Sequence, residues 1–390
     1  MSEADLASLS LFRATPEQIV ESRQRAWLTR SGGLKEKQYL GRDEFMDTLP
    51  HAIGTKAIVW VLAPRTEPHT LDFLCSCRTY RRKALCRYPP IDGKQNVLKE
   101  EFSYGVASVY TPPEKRGKGY ASHMMRLLHW VMAPRNPEFG VSETFPDVWG
   151  APPPEQKGAG DGRFSVLYSD IGGDFYWNCG PGTNRGGGWE VKGNFSTIWD
   201  VPKEPEINYD QGIKWTWVQQ EDLHRLWEED ADLIKKDILD LPMTSNILVS
   251  CLPDEGVAAF QPNRSLFGRE EEISIDIFGV KLSGSDTSSD LTFATWSVDM
   301  RPLPPTLIVT RIRATEDTFP GLLGKIQEVA RRSGIGKIEV WNLPVHLNKV
   351  AIDLRGTMVQ RVEGLPAIRW YGKESTESIG WIFNEKFCWC

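Results

Sequence analysis

The 390-residue chain predicts an α/β architecture built as two successive halves. Three observations predict it. Residues 104–132 read as a strand, a glycine turn and an apolar helix in immediate succession. The order of strands and helices around that unit returns in weakened form after residue 208. At 40% hydrophobic and 25% charged residues, the chain is globular and long enough for two domains.

The first half opens with a short strand at 9–14. Thr15-Pro16-Glu17-Gln18 then supplies an N-cap, a proline in the first helical turn and a capping-box partner, so a helix runs to about Thr29. Gly32-Gly33 leads to a second helical pattern around 42–49. Residues 56–62 (KAIVWVL) form a buried strand, and 70–78 another, with Leu71, Phe73, Cys75 and Cys77 on one face. Residues 80–97 carry Arg81, Arg82, Lys83, Arg87 and Lys94 and read as a solvated basic loop, the alternative being a contact to the nucleotide phosphate of a cofactor. The strand that opens the 104–132 unit is therefore the fourth.

That unit breaks at Pro112-Pro113, turns through Arg116, Gly117, Lys118, Gly119, Tyr120 and Ala121, and continues as a helix. Amides left unpaired at a helix start, reinforced by the helix dipole, attract anions, and glycines let a phosphate approach the main chain. A pyrophosphate site is expected here. A nucleotide P-loop would need Lys-Ser or Lys-Thr where Lys118-Gly119 stands, and the dinucleotide fingerprint a third glycine where Ser122 stands. What remains is Arg-x-x-Gly-x-Ala, with Pro113 three residues upstream. Residues 133–162, rich in proline and glycine, are too long for an ordinary connection and read as an insertion, either a substrate lid or a surface excursion. Residues 163–169 (RFSVLYS) are a fifth strand, followed by DIGGDFYWNCG.

Arg-x-x-Gly-x-Ala after a fourth strand resembles the coenzyme A loop of the Gcn5-related N-acetyltransferase (GNAT) superfamily. The stretch after the fifth strand is similar to that superfamily's Asn-x-x-Ala-x-x-Leu-Tyr pattern with a glycine four residues on. Phe175, Tyr176 and Gly180 match it, and Ser169 and Gly172 depart from it. The phrases SVYTPPEKRGKGYAS and LYSDIG…FY, with a long C-terminal extension, resemble the fungal lysine N-acetyltransferases. The resemblance implies the GNAT acyl-CoA N-acyltransferase fold, a mixed central sheet with helices on both faces, over a domain spanning 1–208. It implies acetyl-coenzyme A as cosubstrate, and direct transfer of the acetyl group to the amine of a small molecule.

Residue by residue, the resemblance implies that Val109, Tyr110 and Thr111 present a main-chain donor to the thioester carbonyl. Arg116, Gly117, Lys118, Gly119, Tyr120 and Ala121 would hold the pyrophosphate. Tyr176 would protonate the departing sulfur. A lysine-type amine is neutral in roughly one molecule in 2,000 at pH 7, so a base or a water relay to one is required. Some relatives place a glutamate on the fourth strand, where Ser103 stands here. Glu101, on the same face two residues earlier, is the candidate base, and Asp170 the next. The expected acceptor is the ε-amine of free L-lysine. The alternatives are another small amine, such as a polyamine, secondary metabolite or xenobiotic, a protein lysine, or a non-catalytic coenzyme-binding role.

Residues 189–201 add a strand, and 202–208 (PKEPEIN) read as a linker. Beyond it come Trp215-Thr-Trp217 and a helix over 220–239 with Leu223, Leu226, Trp227, Leu233, Ile234 and Ile238 on one stripe. Strands are expected at 256–260, 272–282, 291–299 and 306–313. A helix at 319–332, a strand at 337–342, a helix at 345–354 and a last strand at 378–390 complete the set. This order makes 209–390 a degenerate GNAT-like copy of the first domain. Its junction at 311–321 lacks the coenzyme motif, so it is expected to wall the substrate site and bind no coenzyme. An ordered terminus tucked into a site could act as a base, although most termini lie at the surface.

A net charge of −6 argues against a general nucleic-acid binder. No apolar run approaches the roughly 20 residues that span a bilayer, so a cytoplasmic protein without membrane contact is expected. Seven cysteines form no CxxC pair and have no histidine at ligand spacing, so buried thiols in a reducing compartment are expected, with no metal.

Overall fold

The computed structural model describes all residues except 1–5, 91–95, 137–139, 205–213, 243–245, 268–272, 274 and 285–290. The first half runs β1 (Leu9–Arg13), α1 (Pro16–Arg30), α2 (Glu36–Asp47), β2 (Ala57–Pro64), β3 (Cys75–Tyr88), β4 (Val97–Tyr110), α3 (Tyr120–Met132), β5 (Gly162–Ser169), α4 (Asp174–Trp177), β6 (Glu190–Val191) and β7 (Phe195–Asp200). The second runs β8 (Trp215–Gln219), α5 (Leu223–Asp240), β9 (Ile247–Cys251), α6 (Phe260–Leu266), β10 (Ile277–Leu282), β11 (Phe293–Asp299), β12 (Thr306–Arg313), α7 (Phe319–Arg332), β13 (Lys337–Trp341), α8 (Asn348–Asp353), β14 (Thr357–Gln360), β15 (Leu365–Trp370) and β16 (Ile379–Trp381). The capping box of α1 forms as its sequence predicts, with Thr15 Oγ1 accepting from Gln18 N at 3.2 Å and Gln18 Oε1 accepting from Thr15 N at 3.0 Å.

One sheet is ordered β1-β2-β3-β4-β5-β15-β6, with β9 on the free stretch of β3 and β16 on β9. β1 to β4 are antiparallel, and β4 and β5 run parallel. The other sheet is ordered β14-β7-β13-β12-β11-β10-β8. A cut at residue 208 separates neither sheet cleanly. β7 lies in the second sheet, whereas β9, β15 and β16 return to the first. β15 covers the edge that β5 would otherwise leave unpaired, satisfying its main-chain groups over Phe164–Ser169. The proposed linker lies mostly outside the described residues.

α3 packs its apolar face into the first core, burying Met124, Met125, Leu127, Leu128, Val131 and Met132. His129 ties this helix to its neighbours. Its Nδ1 meets the Tyr371 hydroxyl at 3.0 Å, its Nε2 meets the Cys179 carbonyl at 2.8 Å, and its ring stacks on Trp189. Burial lowers its pKa to about 3, so the ring is neutral. The insertion at 133–162 contributes Trp149 to the same core. All seven cysteines are buried and free.

The basic stretch after Arg78 is no solvated loop, as far as its residues are described. β3 continues through it to Tyr88, Arg81 pairs with the Asp161 carboxylate, and carbonyl oxygens replace water around Arg82 and Arg87. Arg82 Nη1 donates to Cys388 O at 2.7 Å. Arg87 donates to Ile238 O, Leu241 O and Pro242 O, closing the C-terminal turn of α5. The expected strand at 256–260 is a turn leading into α6, where Pro253 and Gly256 break the extended run. The last strand is shortened to β16, after which residues 386–388 form a 3₁₀ turn.

The two sheets share a local design. In the first, β4 and β5 pair only as far as Val106↔Leu167, and β4 bulges against β3 where Ser76 faces Tyr110 but Arg78 faces Ala107. In the second, β12 and β13 pair only as far as Val309↔Val340, and β12 bulges against β11 between its pairs at Val309 and Arg311. The second divergence is filled by the chain itself. Buried Arg311 pairs with Asp230 at 2.7 Å and with Glu385, and Glu385 Oε2 accepts from Ile312 N at 2.8 Å. Asp230→Ala would leave the Arg311 charge buried with half its partners gone. A loss of roughly 3–5 kcal/mol in unfolding free energy is expected from urea titration, and a loss below about 1 kcal/mol would show that the network is not a stability element.

Candidate functional site

Where β4 leaves β5, a cavity of about 950 Å³ opens. Its floor is the end of β4 from Val106 together with Thr111, and α1, α2, α4, α6 and the C-terminal residues wall it. The strands part because Ser108 adopts a left-handed backbone, φ 54°, which turns the following main chain away from its former partner. Arg30, at the end of α1, donates to Val109 O at 2.8 Å and fixes the direction of that peptide. Val109, Tyr110 and Thr111 all line the cavity.

The loop after β4 has the geometry an anion needs. Gly117 and Gly119 have φ of 75° and 78°, a region that other residues enter only with strain. A Cβ placed on either would meet nothing within 4 Å, so the main chain there faces open space. The first helical bond of α3 is His123 N to Gly119 O at 2.9 Å, so the amides of 119–122 precede the intrahelical ladder. Arg116 Nε donates to Thr111 O at 3.0 Å and holds the loop against the end of β4. Arg116, Gly117, Gly119, Tyr120 and Ala121 line the cavity. Lys118 is exposed and does not line it, its ammonium lying 3.5 Å from Glu114 O. These residues fit a pyrophosphate.

Tyr176, on α4, reaches the same cavity from the β5 side. Its ring is packed edge-on against Phe175 and Trp189, and burial pushes its pKa up, so the phenol keeps its proton. Glu101 is not brought to the site. It lies on β4 opposite Ala84 and 3.7 Å from the Arg163 guanidinium, because the extended strand places it well before the cavity-lining stretch that begins at Val106. Asp170 does line the cavity, its Oδ1 accepting from Gly364 N at 3.1 Å. Trp389 and Cys390 also reach it.

Sequence reasoning missed much of the wall. Tyr39, Arg42 and Asp43 come from α2, Arg78 and Tyr80 from β3, Gln261 and Arg264 from α6, and Asp299 from β11. Cationic lining side chains are Arg30, Arg42, Arg78, Lys115, Arg116, Arg264, Arg301 and Lys386, against the carboxylates Asp43, Asp170 and Asp299. An acidic protein thus concentrates positive charge at this site. Among the described residues no group of three or more His, Cys, Asp or Glu side chains could hold a metal ion, and no helix is long and apolar enough to cross a membrane.

This is the architecture of the GNAT fold, and solved structures of that fold superpose on nearly the whole chain. A GCN5-related N-acetyltransferase from Anabaena variabilis ATCC 29413 does so with a TM-score of 0.53 at 13% identity, covering 92% of this chain and 72% of its own. A conserved protein of unknown function from Enterococcus faecalis V583 does so with a TM-score of 0.53 at 10% identity, covering 94% and 73%. No curated protein matches the chain. Residues 199–390 match the family described as LYC1 GNAT-like C-terminal domain.

Gly119→Val would force a β-branched residue into a left-handed position and put its side chain into the open space before α3. Coenzyme A affinity, measured by calorimetry, is expected to fall at least tenfold with the fold retained. Unaltered affinity in a folded variant would refute the phosphate-loop assignment.

Proposed function

We propose that the chain is an acetyl-coenzyme A-dependent N-acetyltransferase acting on the amine of a small molecule, with the ε-amine of free L-lysine as acceptor. The observation that carries this reading is the convergence, on one cavity, of the parted β4 and β5 strands, the glycine loop and the buried phenol of Tyr176. Lysine as acceptor rests on the resemblance of the first half to fungal lysine N-acetyltransferases, and the matched C-terminal family is consistent with it.

Acetyl-coenzyme A supplies the activated acyl group, and the residues of this chain do the rest. Gly117, Gly119 and the amides opening α3 seat the pyrophosphate and so fix the direction of the thioester arm. The main chain at 109–111 offers its amides where negative charge develops on the acyl oxygen, and the Arg30 bond to Val109 O keeps those peptides from rotating. Tyr176 gives its proton to the departing sulfur, a role for which a phenol held neutral by burial is suited, and the second proton shed by the acylated nitrogen restores the phenol. Asp170, directly or through a water, takes the proton of the incoming ammonium. Asp170 replaces Glu101 in this role because it lines the cavity, which Glu101 does not.

The first test is thiol release from acetyl-coenzyme A with a panel of free amino acids, polyamines and a lysine-containing peptide, read together with product mass. Release with lysine and gain of one acetyl group is expected, and coenzyme binding with no release across the panel would overturn the catalytic reading. Tyr176→Phe is expected to lower kcat about a hundredfold or more while leaving coenzyme affinity within about twofold. Asp170→Asn is expected to lower kcat/KM most at neutral pH. Its deficit should shrink as pH rises toward the acceptor's own pKa, because the acceptor then arrives already neutral. A deficit independent of pH would remove Asp170 as the base.

A further inference from the structure

The cavity wall formed by α2, α6 and the C-terminal residues holds two arginines close together. Arg42 is buried, stacks over the Tyr39 ring at 4.4 Å and bonds Asp43 Oδ1 through Nε and Nη2, at 3.1 and 2.9 Å. Arg264 is half-buried and lies over the Trp389 indole at 5.3 Å, while Gln261 holds Trp389 through its carbonyl at 2.9 Å. Arg264 differs from most other cations of the site. Arg78 pairs with Asp47, Lys115 with Asp72 and Lys386 with Asp299, whereas Arg30 and Arg116 are bound to carbonyls. Arg264 has no carboxylate within 4.0 Å among the described residues. Its burial, and then the adjacent Arg42 charge, push its pKa down, and Asp43 partly offsets them.

Two guanidinium groups at one wall repel each other and are partly stripped of water, and a single Asp43 leaves the pair with excess positive charge. Each guanidinium lies over an aromatic ring, and because the Nε and Nη2 donors of Arg42 are taken by Asp43, the N–H donors available for a planar fork with a carboxylate are those of Arg264. We propose that Arg264, supported by Arg42, binds a carboxylate on the acceptor, so that the accepted amines are those of amino acids and related amino carboxylates. This rests on the reading of the cavity as an acyl-transfer site. Arg264 is a specificity residue: it holds the far end of the acceptor and leaves the distal amine to reach the β4 main chain.

The test compares L-lysine, 6-aminohexanoate and cadaverine, which share a terminal amine and of which only the first two have a carboxylate. Their dissociation constants are measured by calorimetry on the full chain saturated with coenzyme A, for the wild type and for Arg264→Met, which keeps the apolar stem over Trp389. The two carboxylates are expected to bind about ten- to a hundredfold more tightly than cadaverine, and the substitution to abolish that ratio. Arg42→Gln is expected to reduce it. Equal binding of lysine and cadaverine, or no carboxylate-dependent binding at all, would overturn the proposal. So would an Arg264→Met variant that keeps the ratio and weakens coenzyme A instead, since that would assign the guanidinium to a coenzyme phosphate. Carboxylate-selective binding with no thiol release would sustain this inference while refuting acyl transfer, so the two readings fail separately.

Discussion

The end of pairing between β4 and β5 after Val106↔Leu167 is the constraint on which the site depends. Parallel strands that remained paired would satisfy each other's amides and leave no space between them. Here the left-handed Ser108 and the bulge opposite Arg78 turn β4 aside, so main-chain groups that a sheet would consume face a cavity. A main-chain group withdrawn from the sheet costs free energy if it is buried without a partner, and Arg30 supplies one at Val109 O. The same turn aims the chain into Pro112-Pro113 and then into the glycine loop, so the anion site and the strand divergence are consequences of one backbone event.

The second sheet makes the same divergence and disposes of it differently. Beyond Val309↔Val340, the opening is closed by Arg311, Asp230 and Glu385, with Phe383 and Phe387 beside the guanidinium. Residues just past this plug continue to Trp389 and Cys390 in the first cavity. The C-terminal segment thus fills one cleft and walls the other. Together with β9 and β15, which belong to the first sheet, it makes the second half a structural part of the first half's site.

What was legible in the sequence was local. The Thr15 to Gln18 cap, the strand, glycine loop and helix of 104–132, and the position of Tyr176 each depend on residues within one short contiguous stretch of chain. The arginines of β3 were misread because a basic stretch resembles a solvated loop unless the carbonyls that will receive it are known, and those of Ile238, Leu241 and Cys388 are about 150 to 300 residues away. Glu101 was misplaced because facing the same side of a strand does not mean facing the same cavity once that strand runs 14 residues. Arg42 and Arg264 carry no local signal at all, being joined only when α6 packs on α2, as in the stacking of Phe45 on Phe267 at 5.3 Å.

Charge is distributed in a way that bulk composition conceals. A chain with net charge −6 would on average repel an anionic coenzyme, yet this cavity is lined by more cations than carboxylates. Most of those cations are already committed to Asp47, Asp72, Asp299 or to carbonyl oxygens, so they shape the wall more than they attract a ligand. The attraction that remains is concentrated in the unpaired amides at the start of α3 and in the guanidinium groups of Arg264 and Arg301, neither of which has a carboxylate within 4.0 Å among the described residues. Low-dielectric walls focus such fields at short range, and salt screens them beyond about 10 Å. Selectivity for the ligand therefore has to arise from these few uncommitted donors, and the net charge of the protein bears on it little.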